Sequence, residues 1–232
     1  EYIIILGQKK DIPNTKNLSK KVIAYEDLIE NVSALKDWPI FSEKTASSLC
    51  YTSGTTGNPK GVLYSHRSTL IHTIAAANPD AFNLSSLDVI MPIAPMFHAN
   101  AWGIPYVATM IGAKLVLPGR HLDGKSIYNL MESEKVTFTA AVPTIWLMLF
   151  QFLETEKKKL NHLKSCAIGG SACPKVMIEN FAEKHDVNVI HAWGMTETSP
   201  LGTVNRPLNK HKEFTKEQKY ELATKQGRPV YG

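Results

Sequence analysis

One stretch of this sequence, YTSGTTGNPKGV at residues 51–62, combines the groups that proteins use to bind phosphate. Only glycine, serine and threonine occur from Thr52 to Gly57, and a lysine follows at Lys60. Glycines let backbone N–H groups approach an anion closely, while hydroxyl groups and a lysine add donors and positive charge. The segment lacks the Gly-Lys-Ser/Thr ending of a Walker loop, so it predicts a phosphate site of another kind.

Two later stretches carry groups that would complement a phosphate site. In HAWGMTETSP (191–200), Glu197 offers a carboxylate, and Mg²⁺ prefers one or two carboxylates together with phosphate oxygens. By residue type alone, Trp193 more often belongs to a core and Glu197 to the surface. The second stretch, GGSACP (169–174), is a glycine turn that lacks the last glycine of a G-x-S-x-G nucleophile elbow, which disfavours a hydrolase.

Two apolar stretches contain few polar side chains. The first is PMFHANAWG (95–103), and a lone histidine such as His98 is usually a hydrogen-bonded packing residue. The second, VTFTAAVPTIWLML (136–149), reads as a buried strand followed by a helix. Both stretches can pack in this way and still line a binding site.

The pattern at 51–62 resembles the phosphate-binding signature of the adenylate-forming superfamily, which includes acyl-CoA synthetases, peptide-synthetase adenylation domains and firefly luciferase. Residues 191–200 resemble its second signature, aromatic-Gly-x-Thr-Glu, and 169–174 resemble its adenine-side turn. Residues 95–103 and 136–149 look like the acyl-site segments of fatty acyl-CoA synthetases. The resemblance covers nearly the whole chain and is nearest to medium- and long-chain fatty acyl-CoA synthetases and methylthiopropionate-CoA ligases.

The resemblance implies a role for each matching residue. The catalytic residues it implies are Lys60, His98, Thr196 and Glu197, and Glu197 is also the implied metal ligand. The implied nucleotide-binding residues are Thr52, Ser53, Gly54, Thr55, Thr56, Gly57, Lys60, Gly169, Gly170, Ser171, His191, Ala192, Trp193, Gly194, Met195 and Thr196. The implied acyl-site residues are His98, Asn100, Trp102, Val142 and Pro143.

The reaction that the resemblance implies has two half-reactions and uses ATP, Mg²⁺ and CoA. A carboxylate displaces pyrophosphate from ATP, and the CoA thiol then takes the acyl group from the adenylate. The family's ribose-binding aspartate and C-terminal catalytic lysine have no counterpart here, so we expect a fragment that is inactive in isolation. A non-catalytic nucleotide-binding module and an adenylation domain for another acid, such as methylthiopropionate, remain open alternatives.

We expect the fragment to belong entirely to the AMP-binding domain, with the C-terminal catalytic domain absent. Residues 1–45 would form an opening strand and connecting segment, 46–205 the nucleotide- and acyl-binding core, and 206–232 a basic surface helix and exit turn. The capping box Thr215–Gln218 would start that helix and Gly227 would end it.

Composition excludes several other classes of protein. The 232 residues are 44% hydrophobic, as in an ordinary globular protein. The net charge is +5, and seven Lys/Arg against three Glu between Arg206 and Arg228 account for +4, which favours a solvated helix over a nucleic-acid surface. Prolines interrupt the uncharged stretches 89–113 and 136–153, so we expect no transmembrane segment.

The three cysteines, Cys50, Cys166 and Cys173, have neither paired spacing nor the C-x-x-C pattern and local histidine of a metal site. They favour a reducing compartment, and we expect a cytoplasmic protein. The expected partners are small molecules, namely ATP, an aliphatic carboxylate and CoA, and self-assembly of the full-length protein remains open.

The elements that must position these residues alternate along the chain. The sequence predicts strands at 2–6, 47–52, 87–91, 113–117, 136–140, 165–168 and 187–191. It predicts helices near 66–77, 98–111, 123–134, 144–155 and 174–184. Such alternation predicts an α/β fold with a mostly parallel sheet flanked by helices on both faces, and it places residues 51–62 at a strand-to-helix turn.

Overall fold

The computed structural model describes residues 2–12, 14, 19–30, 32–52 and 57–231. The chain divides into two compact units, Glu1–Ser42 and Glu43–Gly232. In the first unit, strand β1 (Tyr2–Ile5) pairs in parallel with β2 (Lys21–Ala24), and helix α1 (Tyr25–Ile29) follows β2. The sequence predicted β1 but neither β2 nor α1.

The second unit begins with an antiparallel hairpin of β3 (Ala46–Thr52) and β4 (Lys60–Ser65). Helix α2 (His66–Ala77) follows directly, and Ser65 caps it with a reciprocal bond to Ser68. The predicted strand-to-helix turn at 51–62 is therefore wrong. The segment KGVLYS pairs with β3 before the helix begins, so a strand and not a helix comes first after β3. Ser53, Gly54, Thr55 and Thr56 lie outside the described residues.

Seven strands of the described residues form the main sheet, in the spatial order β11-β10-β9-β8-β7-β5-β6. Those strands are β5 (Val89–Pro92), β6 (Lys114–Leu115), β7 (Phe138–Ala141), β8 (Ser165–Ile168), β9 (Asn188–Gly194), β10 (Leu201–Val204) and β11 (Arg228–Pro229). Strands β5 to β9 are parallel, while β10 and β11 add antiparallel pairs at one edge. The predicted mostly parallel sheet is confirmed, although β1 and β3 lie outside it.

The helices of the second unit cover both faces of this sheet. They are α2, α3 (Ala99–Trp102), α4 (Ile104–Ile111), α5 (Gly124–Glu134), α6 (Pro143–Thr155), α7 (Lys175–His185) and α8 (Lys216–Ala223). Successive residues of a strand point to opposite faces. In β8, Cys166 and Ile168 pack into the cluster formed by α5, α6 and α7, whereas Ala167 packs into the cluster formed by α2 and α4.

The predicted helix 98–111 is interrupted. Ala99, Asn100, Ala101 and Trp102 all have φ between 46° and 58°, and Gly103 has φ 71°. Five consecutive left-handed residues make α3 a left-handed turn, and the right-handed helix α4 begins only afterwards, with Pro105 in its first turn. The periodicity of apolar residues conceals this reversal because it does not depend on handedness.

The basic C-terminal segment forms the predicted surface helix. Thr215 and Gln218 make the capping box, and no residue of α8 is buried. The helix ends at Ala223 with Thr224 as its C-cap, so the prediction that Gly227 ends it is wrong. Gly227 instead has φ +79° and lies against Val204, where a Cβ would fall 2.0 Å from the carbonyl oxygen. None of the helices in the described part of the chain has both the length and the apolar character that a membrane span requires.

Candidate functional site

A cavity of about 720 Å³ opens where β5, β8 and β9 end, within the second unit. The carboxyl ends of parallel strands meet at one edge of a sheet, and ligands of open α/β sheets bind outside that edge. The described residues that line the cavity are Tyr51, Thr52, Lys60, Phe82, Phe97, His98, Ala99, Trp102, Gly169, Gly170, Ala192, Trp193, Gly194, Met195, Thr196, Glu197, Pro200 and Leu201. Segments far apart in sequence thus converge on one site.

The β3–β4 hairpin supplies the basic wall of the cavity. Thr52 at the end of β3 pairs with Lys60 at the start of β4, so both side chains lie where the hairpin loop leaves the strands. The sequence predicted both residues as nucleotide ligands, and the structure brings both into the cavity. Gly57 is in the described part of the loop, with φ +94°, but does not line the cavity.

The acidic wall is the turn that follows β9, which we call the 195–200 turn. Met195 N–H donates to the carbonyl of Pro200 at 3.1 Å, and Thr198 N–H donates to the carbonyl of Met195 at 3.0 Å. Gly194 is required before this turn because a Cβ there would lie 2.1 Å from the Pro200 carbonyl oxygen. The closed turn directs Thr196 and Glu197 into the cavity, where the sequence predicted them.

Trp193 lies at the end of β9, beside the 195–200 turn. Its ring packs against Gly202, where a Cβ would come within 2.6 Å of ring carbon Cζ3, and 38% of the side chain stays exposed. An aromatic ring supported on one side and open on the other offers a flat surface to a planar ligand. The geometry fits the nucleotide-binding role that the resemblance implies for Trp193.

The apolar wall combines the left-handed turn with the glycine turn after β8. The Trp102 ring packs over Gly169, where an ideal Cβ would lie 3.6 Å from Cη2 and only 3.0 Å from the Ala192 carbonyl oxygen. Gly170 has φ +76°, and Val142 Cγ1 would lie 3.0 Å from its Cβ. Glycines here let an indole and a neighbouring strand approach the backbone closely.

Several predicted site residues do not line the cavity. They are Gly57, Asn100, Val142, Pro143, Ser171 and His191. Asn100 Nδ2 donates to Ser48 Oγ at 2.8 Å, and Cys50 S–H donates to Asn100 Oδ1 at 3.5 Å, so this side chain joins the left-handed turn to β3.

His191 and the residues around α6 serve the scaffold. His191 Nδ1 lies 2.9 Å from the carbonyl oxygen of Thr224, and burial lowers the pKa of the imidazole. Pro143 begins α6 and is buried, while Val142 borders the glycine turn.

Six of the lining residues were not singled out as site residues, namely Tyr51, Phe82, Phe97, Ala99, Pro200 and Leu201, although Tyr51, Phe97, Ala99 and Pro200 lie inside the motifs at 51–62, 95–103 and 191–200. Sequence reasoning also missed Tyr64, which lies on β4 and is 5% exposed. The Tyr64 hydroxyl donates to the carbonyl of Thr196 at 2.6 Å. The alternation of Val62 and Tyr64 would have shown an inward face if the segment had been recognised as a strand.

Among the described residues that line the cavity, Glu197 is the one carboxylate that could hold a cation. No group of three or more His, Cys, Asp or Glu side chains that could hold a metal occurs among the described residues. Glu197 alone therefore suits an ion that arrives with most of its ligands, as Mg²⁺ does when phosphate oxygens and water complete its shell. Lys60 in the same cavity supplies the positive charge that a polyphosphate needs.

Comparison with known proteins identifies relatives that cover nine tenths or more of the chain. Residues 4–232 match the family described as AMP-binding enzyme. The chain is 52% identical over 222 residues to a medium-chain-fatty-acid–CoA ligase of Ectopseudomonas oleovorans, covering 94% of this chain and 41% of the relative. It is 51% identical over 208 residues to a 3-methylmercaptopropionyl-CoA ligase of Ruegeria lacuscaerulensis, covering 90% and 39%.

A solved structure has the same fold. The crystal structure of a long-chain-fatty-acid-CoA ligase from Archaeoglobus fulgidus superposes with a TM-score of 0.74 at 27% identity, over 91% of this chain and 43% of that one. The chain thus spans about two fifths of the length of the curated relatives it matches.

Proposed function

The chain belongs to the AMP-binding enzyme family, and we propose that the protein containing it is an acyl-CoA synthetase. The proposed enzyme joins an aliphatic carboxylic acid to CoA at the expense of ATP, releasing AMP and pyrophosphate. The names of the relatives, ligases for medium-chain fatty acids and for 3-methylmercaptopropionate, support an aliphatic acid as substrate.

One observation carries the proposal. The cavity brings a lysine, a carboxylate and an exposed tryptophan face together with an apolar wall, and these are Lys60, Glu197, Trp193 and Trp102. A nucleoside triphosphate with its cation matches the lysine, the carboxylate and the Trp193 face, and an aliphatic chain matches the apolar wall with Trp102. His98 lies on the same wall as Trp102, where it can meet the carboxylate end of the acid.

In the first half-reaction, a carboxylate oxygen attacks the α-phosphorus of ATP, and the bond from that phosphorus to the bridging oxygen breaks to release pyrophosphate. The carboxylate is already a nucleophile, so the chain needs no general base. Its residues align the reactants and neutralise developing charge. Lys60 would bind the departing phosphates, and Thr196 would donate to the α-phosphate.

Glu197 would hold the Mg²⁺ that accompanies the nucleotide, and that ion would offset negative charge on the phosphate oxygens. In the second half-reaction, the CoA sulfur attacks the acyl carbon and AMP leaves with the bonding electrons, while the thiol proton goes to solvent. The apolar wall with Trp102 would keep the acyl chain beside the reacting carbon and exclude water from the adenylate.

Acid-dependent exchange of pyrophosphate into ATP, measured with the full-length protein, tests this function. We expect exchange with carboxylic acids somewhere between propionate or methylthiopropionate and palmitate, and thioester formation when CoA is added. The matching primary alcohols are the control, because they have the same chains without the carboxylate. Exchange that no acid stimulates would overturn the proposal.

A nucleotide-binding module without catalysis is the second candidate, because Trp193 and Lys60 alone suit a nucleotide. Equilibrium titration with ATP distinguishes the two functions. Tight binding without acid-dependent exchange would favour the module.

Three further expectations stay predictions. We propose that the protein is cytoplasmic, does not bind nucleic acid and takes ATP, the acid and CoA as its partners. Cell fractionation and salt-dependent DNA binding test the first two. Sedimentation would establish whether the full-length protein assembles with itself.

A further inference from the structure

The hairpin and the 195–200 turn are joined by a buried hydrogen bond that bridges 132 residues of sequence. The Tyr64 hydroxyl on β4 donates to the carbonyl of Thr196 at 2.6 Å. Among the described residues, the other bond to this carbonyl is longer, from Ser199 N–H at 3.4 Å. Tyr64 is therefore the principal partner of an otherwise poorly bonded group.

The position of this carbonyl matters because it belongs to the peptide group that links Thr196 to Glu197. A peptide group is planar, so fixing the direction of its C=O fixes the direction in which the chain enters Glu197. Strand β4 also begins at Lys60, four residues before Tyr64. The same rigid strand therefore carries Lys60 at one end and holds the peptide before Glu197 near the other.

The phenol remains a donor under ordinary conditions. Burial, together with the neighbouring Cys50 and Glu197, raises the pKa of Tyr64 to about 12. A protonated hydroxyl beside a carbonyl oxygen can act only as the donor of this bond, since the carbonyl has no proton to give. The interaction therefore keeps its direction throughout the physiological pH range.

We propose that Tyr64 is a positioning residue that fixes Glu197 relative to Lys60, so that both act on one phosphate–Mg²⁺ group. This inference rests on the proposed function, because it assumes that the distance between the basic and acidic walls matters for binding Mg²⁺–ATP. Tyr64 does not line the cavity and would act only through the Thr196 carbonyl.

Tyr64→Phe in the full-length protein tests the inference, because it keeps the buried ring and removes only the hydroxyl. Thr139→Val is the matched control. Thr139 Oγ1 donates to the carbonyl of Met91 at 2.7 Å, also buried, but inside the sheet and away from the cavity lining. Both variants lose one neutral hydroxyl-to-carbonyl bond, so a general loss of stability would affect them alike.

Two measurements are made on wild type and both variants. Hydrogen exchange should be faster over residues 195–199 in Tyr64→Phe but not in Thr139→Val. The Mg²⁺ concentration needed for half-maximal binding of ATP, measured by calorimetry, should rise about three- to tenfold in Tyr64→Phe alone. In the acid-dependent exchange assay, kcat/KM for ATP should fall by a similar factor, while KM for the acid stays unchanged.

The inference and the proposed function fail in different ways. A wild-type protein that binds Mg²⁺–ATP but activates no acid would refute the proposed synthetase activity. Hydrogen exchange and calorimetry would still decide the role of Tyr64. If the wild type is active but Tyr64→Phe shows unchanged hydrogen exchange at 195–199, or an unchanged Mg²⁺ dependence of ATP binding, the inference alone would be overturned. Equal changes in both variants would also overturn it.

Discussion

The parallel sheet and the β3–β4 hairpin both build the candidate site, but different forces hold them in place. Strands β5 to β9 are covered on both faces by apolar clusters that include Trp146 and Phe181 on one side and Phe138 on the other. The hairpin exposes Leu49, Tyr51 and Leu63. The sheet that carries the acidic and apolar walls thus rests on packing, whereas side-chain bonds such as Tyr64 to Thr196 and Asn100 to Ser48 join the hairpin to those walls.

This difference separates stability from function. Substitutions in the sheet core should lower the free energy of unfolding, and the site should be lost only when the protein unfolds. Substitutions in the hairpin should change how Lys60 meets its ligand while most of the core remains intact. The predictions below set the two regions against each other.

The largest effect is expected for Trp146→Ala in α6. This side chain is fully buried and meets Phe181 edge-on with ring centroids 5.4 Å apart. The cavity left behind should lower the free energy of unfolding by about 3–5 kcal/mol. Urea unfolding measures it, and Leu147→Ala on the same helix, 58% exposed, is the control. Equal losses would contradict a core centred on Trp146.

Lys60→Ala should impair ATP use without unfolding the protein. Loss of a charged hydrogen bond to phosphate costs about 1.5–3 kcal/mol, which lowers kcat/KM for ATP roughly 10- to 150-fold. The KM for the acid should stay near its wild-type value. Lys114→Ala provides the control, because that lysine pairs with Glu134 at 2.5 Å and does not line the cavity. An unaltered ATP dependence would remove Lys60 from the site.

Glu197→Gln should raise the Mg²⁺ requirement, because a charged oxygen ligand becomes a weaker neutral one. We expect the Mg²⁺ concentration at half-maximal activity to increase on the order of tenfold, equivalent to about 1.4 kcal/mol. Glu134→Gln removes a carboxylate outside the cavity and serves as the comparison. Superimposable Mg²⁺ curves for wild type and Glu197→Gln would exclude the metal role.

The same contrast explains how much could be predicted from the sequence. Strands β5 to β9 are short apolar runs bounded by turns. A parallel sheet buried on both faces requires such continuous apolar strands, so the local sequence is enough to predict them. Strands β5 to β9 and helices α2, α5, α6 and α7 were predicted, whereas β10 and β11 were not, and the predicted helix 98–111 is interrupted. Thr196, Glu197, Lys60 and His98 were found because their segments resemble motifs of the adenylate-forming superfamily, and all four line the cavity.

What the sequence did not reveal depends on contacts between distant segments. Strand β4 was missed because glycine and a short length weaken its pattern, and only pairing with β3 defines it. The left-handed turn at 99–102 was missed because alanine and tryptophan carry no signal for positive φ. Asn100 was assigned to the acyl site from its place in a motif, whereas its carboxamide bonds to Ser48 on β3.

The smallest predicted effect concerns this bond, which ties the hairpin to the apolar wall. Asn100→Ala removes the donor to Ser48 Oγ and should cost about 1 kcal/mol of unfolding free energy. Asn100→Gly removes the same bond but suits φ 52° better than alanine does, because glycine has no Cβ to clash in the left-handed region. Glycine should therefore be the milder change in urea unfolding.

Acid-dependent exchange then shows whether this bond serves the site as well as the fold. Both Asn100 variants lose the link between β3 and the left-handed turn, so both should raise KM for the acid to a similar extent despite their different stabilities. If KM instead follows stability, with alanine worse than glycine, the conformation of the turn positions His98 and Trp102. If neither variant changes KM, the hairpin and the apolar wall are independent, and packing alone is sufficient to build this side of the cavity.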